Sequence, residues 1–220
     1  MTKNLGKQSS IFTNFIAELR DASIQQDSMR FRRNLERIGE IAAYEISKTL
    51  PVEMVDVVTS LGTATVPVIK EYPVLIPILR AGIPLHNGLQ NFFDRSASGF
   101  ISAYRKVEKN EKFTINIEYV SCPDLTDKTI ILCDPMLATG ASMVAAYKDL
   151  QNLGKPAHTH ILTAIASVEG INYVKKNLPM KEVTIWVGAV DDELTAKAYI
   201  VPGLGDAGDL AYGPKPDFLR

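Results

Sequence analysis

This 220-residue chain predicts an α/β fold, a parallel sheet flanked by helices, and three observations support that prediction. Short apolar runs alternate with amphipathic helical patterns along most of its length, as in chains that cross over between parallel strands. One run, Ile130-Ile131-Leu132-Cys133, is continuously apolar and reads as a strand covered on both faces, which only a sheet with helices on each side provides. That run ends in Asp134, a tight loop and a helix carrying Met143, Ala146, Tyr147, Leu150 and Leu153 on one face. Open α/β sheets place their ligands at such strand ends.

Taken in order, Ile11 to Arg20 predicts a short helix. A longer one follows from about Ser28 to Leu50, with Phe31, Leu35, Ile38 and Ala42 at helical spacing and Pro51 closing it. Val52–Val58 and Thr65–Ile69, joined at Gly62, read as a β-hairpin arm projecting from the sheet. Strands are expected at Val74–Leu79, Phe100–Tyr104, Thr129–Asp134, His160–Ala166 and Val183–Val187, and helices at Pro84–Phe93, Ser142–Leu153 and Glu169–Asn177. Pro77 is awkward in a central strand and suggests that pairing stops before Arg80. Lys106–Asn116, charge-rich and flanked by alternating apolar positions, reads as an exposed hairpin. From Lys197 onward the chain is rich in Gly, Pro and Asp, too irregular for a regular element; Tyr199, Ile200, Val201 and Leu204 argue for a packed loop rather than a free tail.

Composition narrows the function classes. Apolar residues make up 46% and charged residues 22%, and the formal charge is −1, so no attraction to nucleic acid or anionic membrane is expected. No apolar stretch approaches the ~20 residues of a membrane span, and Met1–Gly6 lacks a leader-like apolar region. Cys122 and Cys133 are the only cysteines, which fits a reducing, cytoplasmic setting. The whole length, 1–220, is expected to form one domain, with a core over about 70–190 and a hood from the N-terminal helices and 191–220.

The turn after Ile130–Cys133 reads Asp134-Pro135-Met136-Leu137-Ala138-Thr139-Gly140-Ala141-Ser142. It is neither a Walker loop, since no Lys follows Gly140, nor a dinucleotide fingerprint, since Gly140 is its single glycine. A bland account has Thr139 simply capping the helix. The N–H groups left over at such a helix start would suit a phosphate.

The full string resembles the PRPP-binding motif of type I phosphoribosyltransferases, in the form found in the uracil phosphoribosyltransferase family. Three further strings are similar to that family in the same order: Pro77-Ile78-Leu79-Arg80-Ala81-Gly82, its pyrophosphate loop; Tyr104-Arg105, the start of its mobile flap; and Tyr199 to Asp209, its uracil-binding segment. Arg30-Phe31-Arg32 on the long helix also fits. The resemblance implies a type I phosphoribosyltransferase-like sheet with a β-hairpin arm and a C-terminal uracil-binding hood.

It also implies roles. Residues 135–142 and Asp134 would hold the 5-phosphate and ribose of PRPP, and Arg80 and Arg105 the diphosphate, where a planar guanidinium fork suits paired phosphate oxygens. Ile200, Gly205, Asp206 and Ala207 would bind uracil, and Asp206 and Arg105 would carry the catalytic electrostatics. Mg²⁺ would arrive with PRPP, with Asp206 a water-mediated contact. A homodimer or larger homo-oligomer is implied, with the arm as its contact surface; GTP activation, found in some members, has no residue signal here.

Departures from the family pattern are Cys133 where an acidic residue often precedes Asp134, Asn87 where an acidic residue is common, and Ala141 in place of a glycine. His158 and His160 alternate near a strand start but lack the Cys or carboxylate partners of a metal site. Trp186 is expected in the core. A nucleotide-sensing regulator that binds RNA would need a basic face that the sequence lacks; an inactive scaffold would not keep the Asp134 loop and Gly205-Asp206-Ala207.

Overall fold

The computed structural model describes residues 1–107 and 113–214, and only the backbone at 104–107 and 113–116. After a short strand β1 (Thr2–Asn4), helices α1 (Ile11–Arg20) and α2 (Ser28–Ser47) begin at Ser10 and Asp27, whose side chains accept bonds from free first-turn N–H groups. Strands β2 (Val52–Thr59) and β3 (Gly62–Ile69) pair only with each other, antiparallel, and form the expected arm.

The chain then enters the sheet. It runs through β4 (Val74–Leu79), α3 (Ile83–Phe92), β5 (Phe100–Val107), β6 (Phe113–Ser121), β7 (Thr129–Cys133), β8 (Met136–Leu137), α4 (Ala141–Leu150), β9 (His158–Ser167), α5 (Val168–Asn177) and β10 (Val183–Asp191). Strand order is β1-β10-β9-β7-β4-β5-β6, parallel except for β6, which returns antiparallel along β5; β8 extends the β9 edge. The parallel strands therefore end at one edge, where Arg80, Asp134, Ser167 and Asp191 stand. The flap expected at 106–116 begins as the β5–β6 pair; its tip, 108–112, lies outside the described residues.

Strand alternation sorts the core. Ile131 and Cys133 point into a layer with Phe31, Leu35 and Ile38 of α2 and Leu85 and Leu89 of α3. Ile130 and Leu132 point the other way, against Met143 and Tyr147 of α4 and Val174 of α5. Trp186 is buried, as expected.

Pro77 lies within β4 and is matched to Cys133 of β7. Leu75 directs its N–H and C=O toward residues 97–99, so alternation turns the Pro77 nitrogen to that same side. There the pairing lapses between the Leu75–Ser98 bridge and Ile78–Ile101, so the missing donor leaves no broken ladder bond. Pairing ends at Leu79, before Arg80, as the proline suggests.

The C-terminal stretch is more regular than its composition implies. β11 (Glu193–Leu194) and β12 (Ile200–Val201) pair, and α6 (Ala207–Tyr212) follows. Of the four apolar residues expected to pack there, Ile200 and Leu204 are buried in the α1–α2 layer, whereas Tyr199 and Val201 are exposed.

Candidate active site

The loop after β7 is held by its neighbours at each step. The Asp134 N–H continues the ladder to the Leu162 carbonyl (3.1 Å), and the Pro135 carbonyl accepts from Ala164 and Ile165 N–H (3.1 and 3.0 Å). The Asp134 carboxylate accepts from Met136 N–H (3.3 Å), which turns the chain into β8. Ser167 joins this loop to α5: its hydroxyl donates to the Ala138 carbonyl (2.5 Å) and accepts from Gly170 N–H (2.8 Å).

Thr139 is not the cap of α4. That position is Gly140, at φ +78°, which has no side chain to offer the helix start. The Thr139 hydroxyl instead accepts weakly from Ala141 N–H (3.4 Å). A Cβ on Gly140 would stand 2.8 Å from the Gly170 carbonyl oxygen, so two helix starts meet backbone to backbone. Ala141 is the first helical residue, where a methyl is tolerated. Apart from the weak Thr139 bond, the first turn of α4 lacks a cap from its own N-cap residue.

The Arg80 loop packs against this corner. A Cβ on Gly82 would meet the Cys133 carbonyl oxygen at 2.6 Å, and the Cys133 thiol points at the Gly82 carbonyl (3.8 Å). Cys133 is fully buried; burial, then Asp134, pushes its thiol well above the ordinary value. A carboxylate here would be stripped of water in the same way. Arg80 follows a cis Leu79–Arg80 peptide and reaches away from the sheet, donating to the Gly213 carbonyl (3.3 Å) and lying 3.6 Å from the Asp209 carboxylate.

The Ile200–Ala207 segment is tied at the other end. Gly203 N–H donates to Asp191 at the end of β10 (3.0 Å), and Arg32 donates to the Ala211 carbonyl (2.6 Å). Asp191 and Arg80 stand at the tips of β10 and β4, so the hood between them crosses the tips of β9 and β7. The Ile200–Ala207 segment and the Asp134 loop thus share one edge of the sheet. Gly205 adopts φ +90°, and a Cβ there would make only ordinary contact with Leu210 Cδ1 (3.9 Å) and Gln25 Oε1 (4.0 Å), so its glycine serves the left-handed turn; at Gly203 a Cβ would strike the Ile200 carbonyl oxygen. Asp206 has a structural duty that sequence reasoning missed: its carboxylate accepts from Asp209 N–H (3.0 Å) and caps α6. Gly205 and Asp206 line a recess of about 320 Å³ with Gln25, Gln26, Ser28, Asp209 and Leu210, on the side of the α1–α2 turn. Residues 134–142 do not line it.

Among the remaining expected residues, Arg30 pairs with Glu18 through two bonds (2.9 and 2.6 Å), and Phe31 is core. The Arg105 side chain lies outside the described residues; its backbone is matched to Ile115. His160 accepts from the Trp186 indole (3.1 Å), and His158 bonds Thr184 (3.0 Å), so both imidazoles serve packing contacts. His86 bonds Ser98 (2.9 Å) in the α3 corner. Arg20 and Asp191 went unnoticed in the sequence, where their places at the ends of α1 and β10 were the only signal; Arg32 and Asp209 stood within matched strings but were given no role of their own.

A parallel sheet with its phosphate-type corner after β7, a β5–β6 hairpin beside it and a hood across the strand tips defines a type I phosphoribosyltransferase. Solved structures share the architecture: adenine phosphoribosyl transferase from Trypanosoma brucei superposes with TM-score 0.56 at 11% identity, over 93% of this chain and 88% of that one. The AQ2163 protein from Aquifex aeolicus superposes with TM-score 0.85 at 30% identity, over 97% and 98%. The chain belongs to the uracil phosphoribosyltransferase family, whose model matches residues 7–214. It is 50% identical to a uracil phosphoribosyltransferase of Porphyromonas gingivalis over 96% of this chain and 98% of the relative. The Pyrococcus furiosus enzyme of the same name is 39% identical over 94% and 88%.

Proposed function

We propose that this chain transfers the 5-phosphoribosyl group of PRPP to N1 of uracil, giving UMP and diphosphate, a pyrimidine-salvage step. The observation that carries the reading is the hood, hung from Asp191 and Arg80 across the strand tips that hold the Asp134 loop. Membership of the uracil phosphoribosyltransferase family supports it.

In this reading the N–H groups and hydroxyls of 135–142 take the 5-phosphate, and Asp134 accepts from the ribose hydroxyls. Arg80 and Arg105 neutralise the diphosphate. Uracil presents acceptor, donor, acceptor along O4, N3–H and O2; the backbone of Ile200, Gly205, Asp206 and Ala207 offers the complement. N1 attacks C1′ with inversion as the bond to diphosphate loosens, through an oxocarbenium-like state. Positioning and electrostatics do the work, with no covalent intermediate. Asp206 and Asp209 are carboxylates of the hood, in and beside the segment proposed for uracil. Mg²⁺ keeps phosphate and water oxygens and takes only one or two carboxylates, so a single hood carboxylate would suffice as its protein contact. Bound with PRPP, the ion would neutralise the leaving diphosphate, with Asp206 as a water-mediated contact on the protein.

The division of labour we infer is a catalytic core over about 70–190 and a hood from the N-terminal helices and 191–220. We infer a homodimer or larger homo-oligomer from the arm, where Val58 and Leu61 are 83% and 97% exposed. Two free cysteines support a reducing cytoplasm, and among the described residues no helix is long and apolar enough to cross a membrane. The test is UMP formation from PRPP, Mg²⁺ and each nucleobase in turn. Uracil should be preferred over cytosine by about 10⁴-fold, since cytosine sets donors against donors. Turnover of hypoxanthine or orotate without UMP from uracil rejects the assignment.

A further inference from the structure

Arg20 is the last residue of α1 and Asp191 the last of β10, and neither belongs to the strings that mark the substrate site. They meet in a two-pronged ion pair, at 2.8 and 2.7 Å, with side chains only 23% and 6% exposed. Both also reach Gly203. The Gly203 N–H donates to Asp191 Oδ2 (3.0 Å), and Arg20 Nη1 donates to the Gly203 carbonyl (3.0 Å). The pair thus grips both polar groups of one peptide residue. Gly203 is where the hood doubles back: φ is +59°, and a Cβ there would lie 2.1 Å from the Ile200 carbonyl oxygen. Gln25 braces the clamp from behind, donating to the Arg20 carbonyl (3.0 Å), and its own carbonyl oxygen lies 4.0 Å from where a Cβ on Gly205 would be.

Stability alone does not account for such an arrangement. An apolar pair of similar volume serves the folded state as well as a buried ion pair, or better. Apolar side chains cannot hold an N–H and a carbonyl of the same turn in fixed directions. Those directions set the course of Ile200 to Ala207, three residues before and four after. Burial by itself would raise the Asp191 carboxyl; the Arg20 guanidinium and the Gly203 N–H outweigh it and hold it below the usual carboxylate value.

We propose that Arg20 and Asp191 are positioning residues for the base: they fix Gly203 and, through it, the backbone that reads the edge of uracil. The proposal rests on the assignment of Ile200–Ala207 to uracil. A base-reading loop that is out of place by an ångström weakens base use without touching the sugar-phosphate side.

The experiment compares wild type, Asp191→Asn and Arg20→Lys by initial rates, with uracil varied at saturating PRPP and then the reverse, and by thermal unfolding. Arg20→Lys keeps a charge beside Asp191 but has no fork to reach Gly203 as well, so it is the milder variant. Asp191→Asn should raise KM for uracil about ten- to a hundredfold while KM for PRPP stays within about twofold, with Arg20→Lys intermediate. Equal rises in both KM values, or an unchanged uracil KM with a lower melting temperature, overturn the proposal. Loss of the folded state in both variants marks the pair as structural and overturns it too. A wild type that makes no UMP from uracil sinks the substrate assignment itself; an active wild type with insensitive variants sinks only the clamp.

Discussion

Replacing Gly140 with Ala tests the corner where α4 and α5 meet. Gly140 sits at φ +78°, a conformation that costs an L-residue about 1–2 kcal/mol. The added Cβ would also stand 2.8 Å from the Gly170 carbonyl oxygen, with Tyr173 and Val174 side-chain carbons at 3.2 and 3.3 Å. The oxygen is backbone and cannot rotate away, and Gly170 is bonded through Ser167 to the Ala138 carbonyl. Overpacking of this kind adds about 1–3 kcal/mol, so Gly140→Ala should lose about 2–5 kcal/mol in urea unfolding. The relief is a shift of the α4 start away from α5, which moves the N–H groups assigned to the 5-phosphate. KM for PRPP should therefore rise about tenfold or more, with KM for uracil at saturating PRPP little changed. A stability loss under about 1 kcal/mol together with an unchanged PRPP KM would refute both the strain argument and the placement of the phosphate.

Asp206 can be divided into its two duties: Asp206→Asn keeps an oxygen to cap α6, whereas Asp206→Ala gives up about 0.5–2 kcal/mol of capping. Uracil-dependent turnover should fall in both but melting temperature only in the alanine variant; unchanged kinetics in Asp206→Asn would remove the carboxylate from the mechanism. Burial, then His158 and Lys3, pushes the His160 pKa down to about 3, against an ordinary 6.5. The unfolded chain therefore binds the extra proton between those values, and the stability that His160 contributes is whole above pH 6.5 and drains as pH falls toward 3. The slope is about 1.4 kcal/mol per pH unit at most, and His86 and His158, also lowered, act in the same direction. His160→Asn keeps an acceptor for Trp186 and should flatten that acid limb in urea titrations; an unaltered limb would contradict it.

The sheet was legible because burial on both faces writes itself as unbroken apolar runs, and Val74–Leu79 is found where the sequence placed it. Helices α1 to α5 were legible for the matching reason, a single apolar stripe at helical spacing. The hood was not. Six-residue α6 is too short to show a period, and its stability comes from Asp206 at one end and Arg32 and Arg80 reaching in from distant elements. Thr139 looked like a cap because hydroxyl residues usually are; the left-handed Gly140 took that place, and one sequence does not reveal a backbone angle. The strings around Asp134 and Gly205, far apart in sequence, both come to the same edge of the sheet. The Arg20–Asp191 grip joins residues 171 positions apart, and no local pattern announces it.

Arg80 has one guanidinium and two claims upon it. In the structure its donors face Gly213 and Asp209 and so tether the far end of the hood to the tip of β4. An N–H that turned toward a diphosphate would be withdrawn from that tether, because each N–H can point at one acceptor at a time. Were Arg80 to take the diphosphate proposed for it, the tension on the pyrimidine's ceiling would depend on whether the sugar donor is already seated, and the two substrates would sense each other through a single side chain.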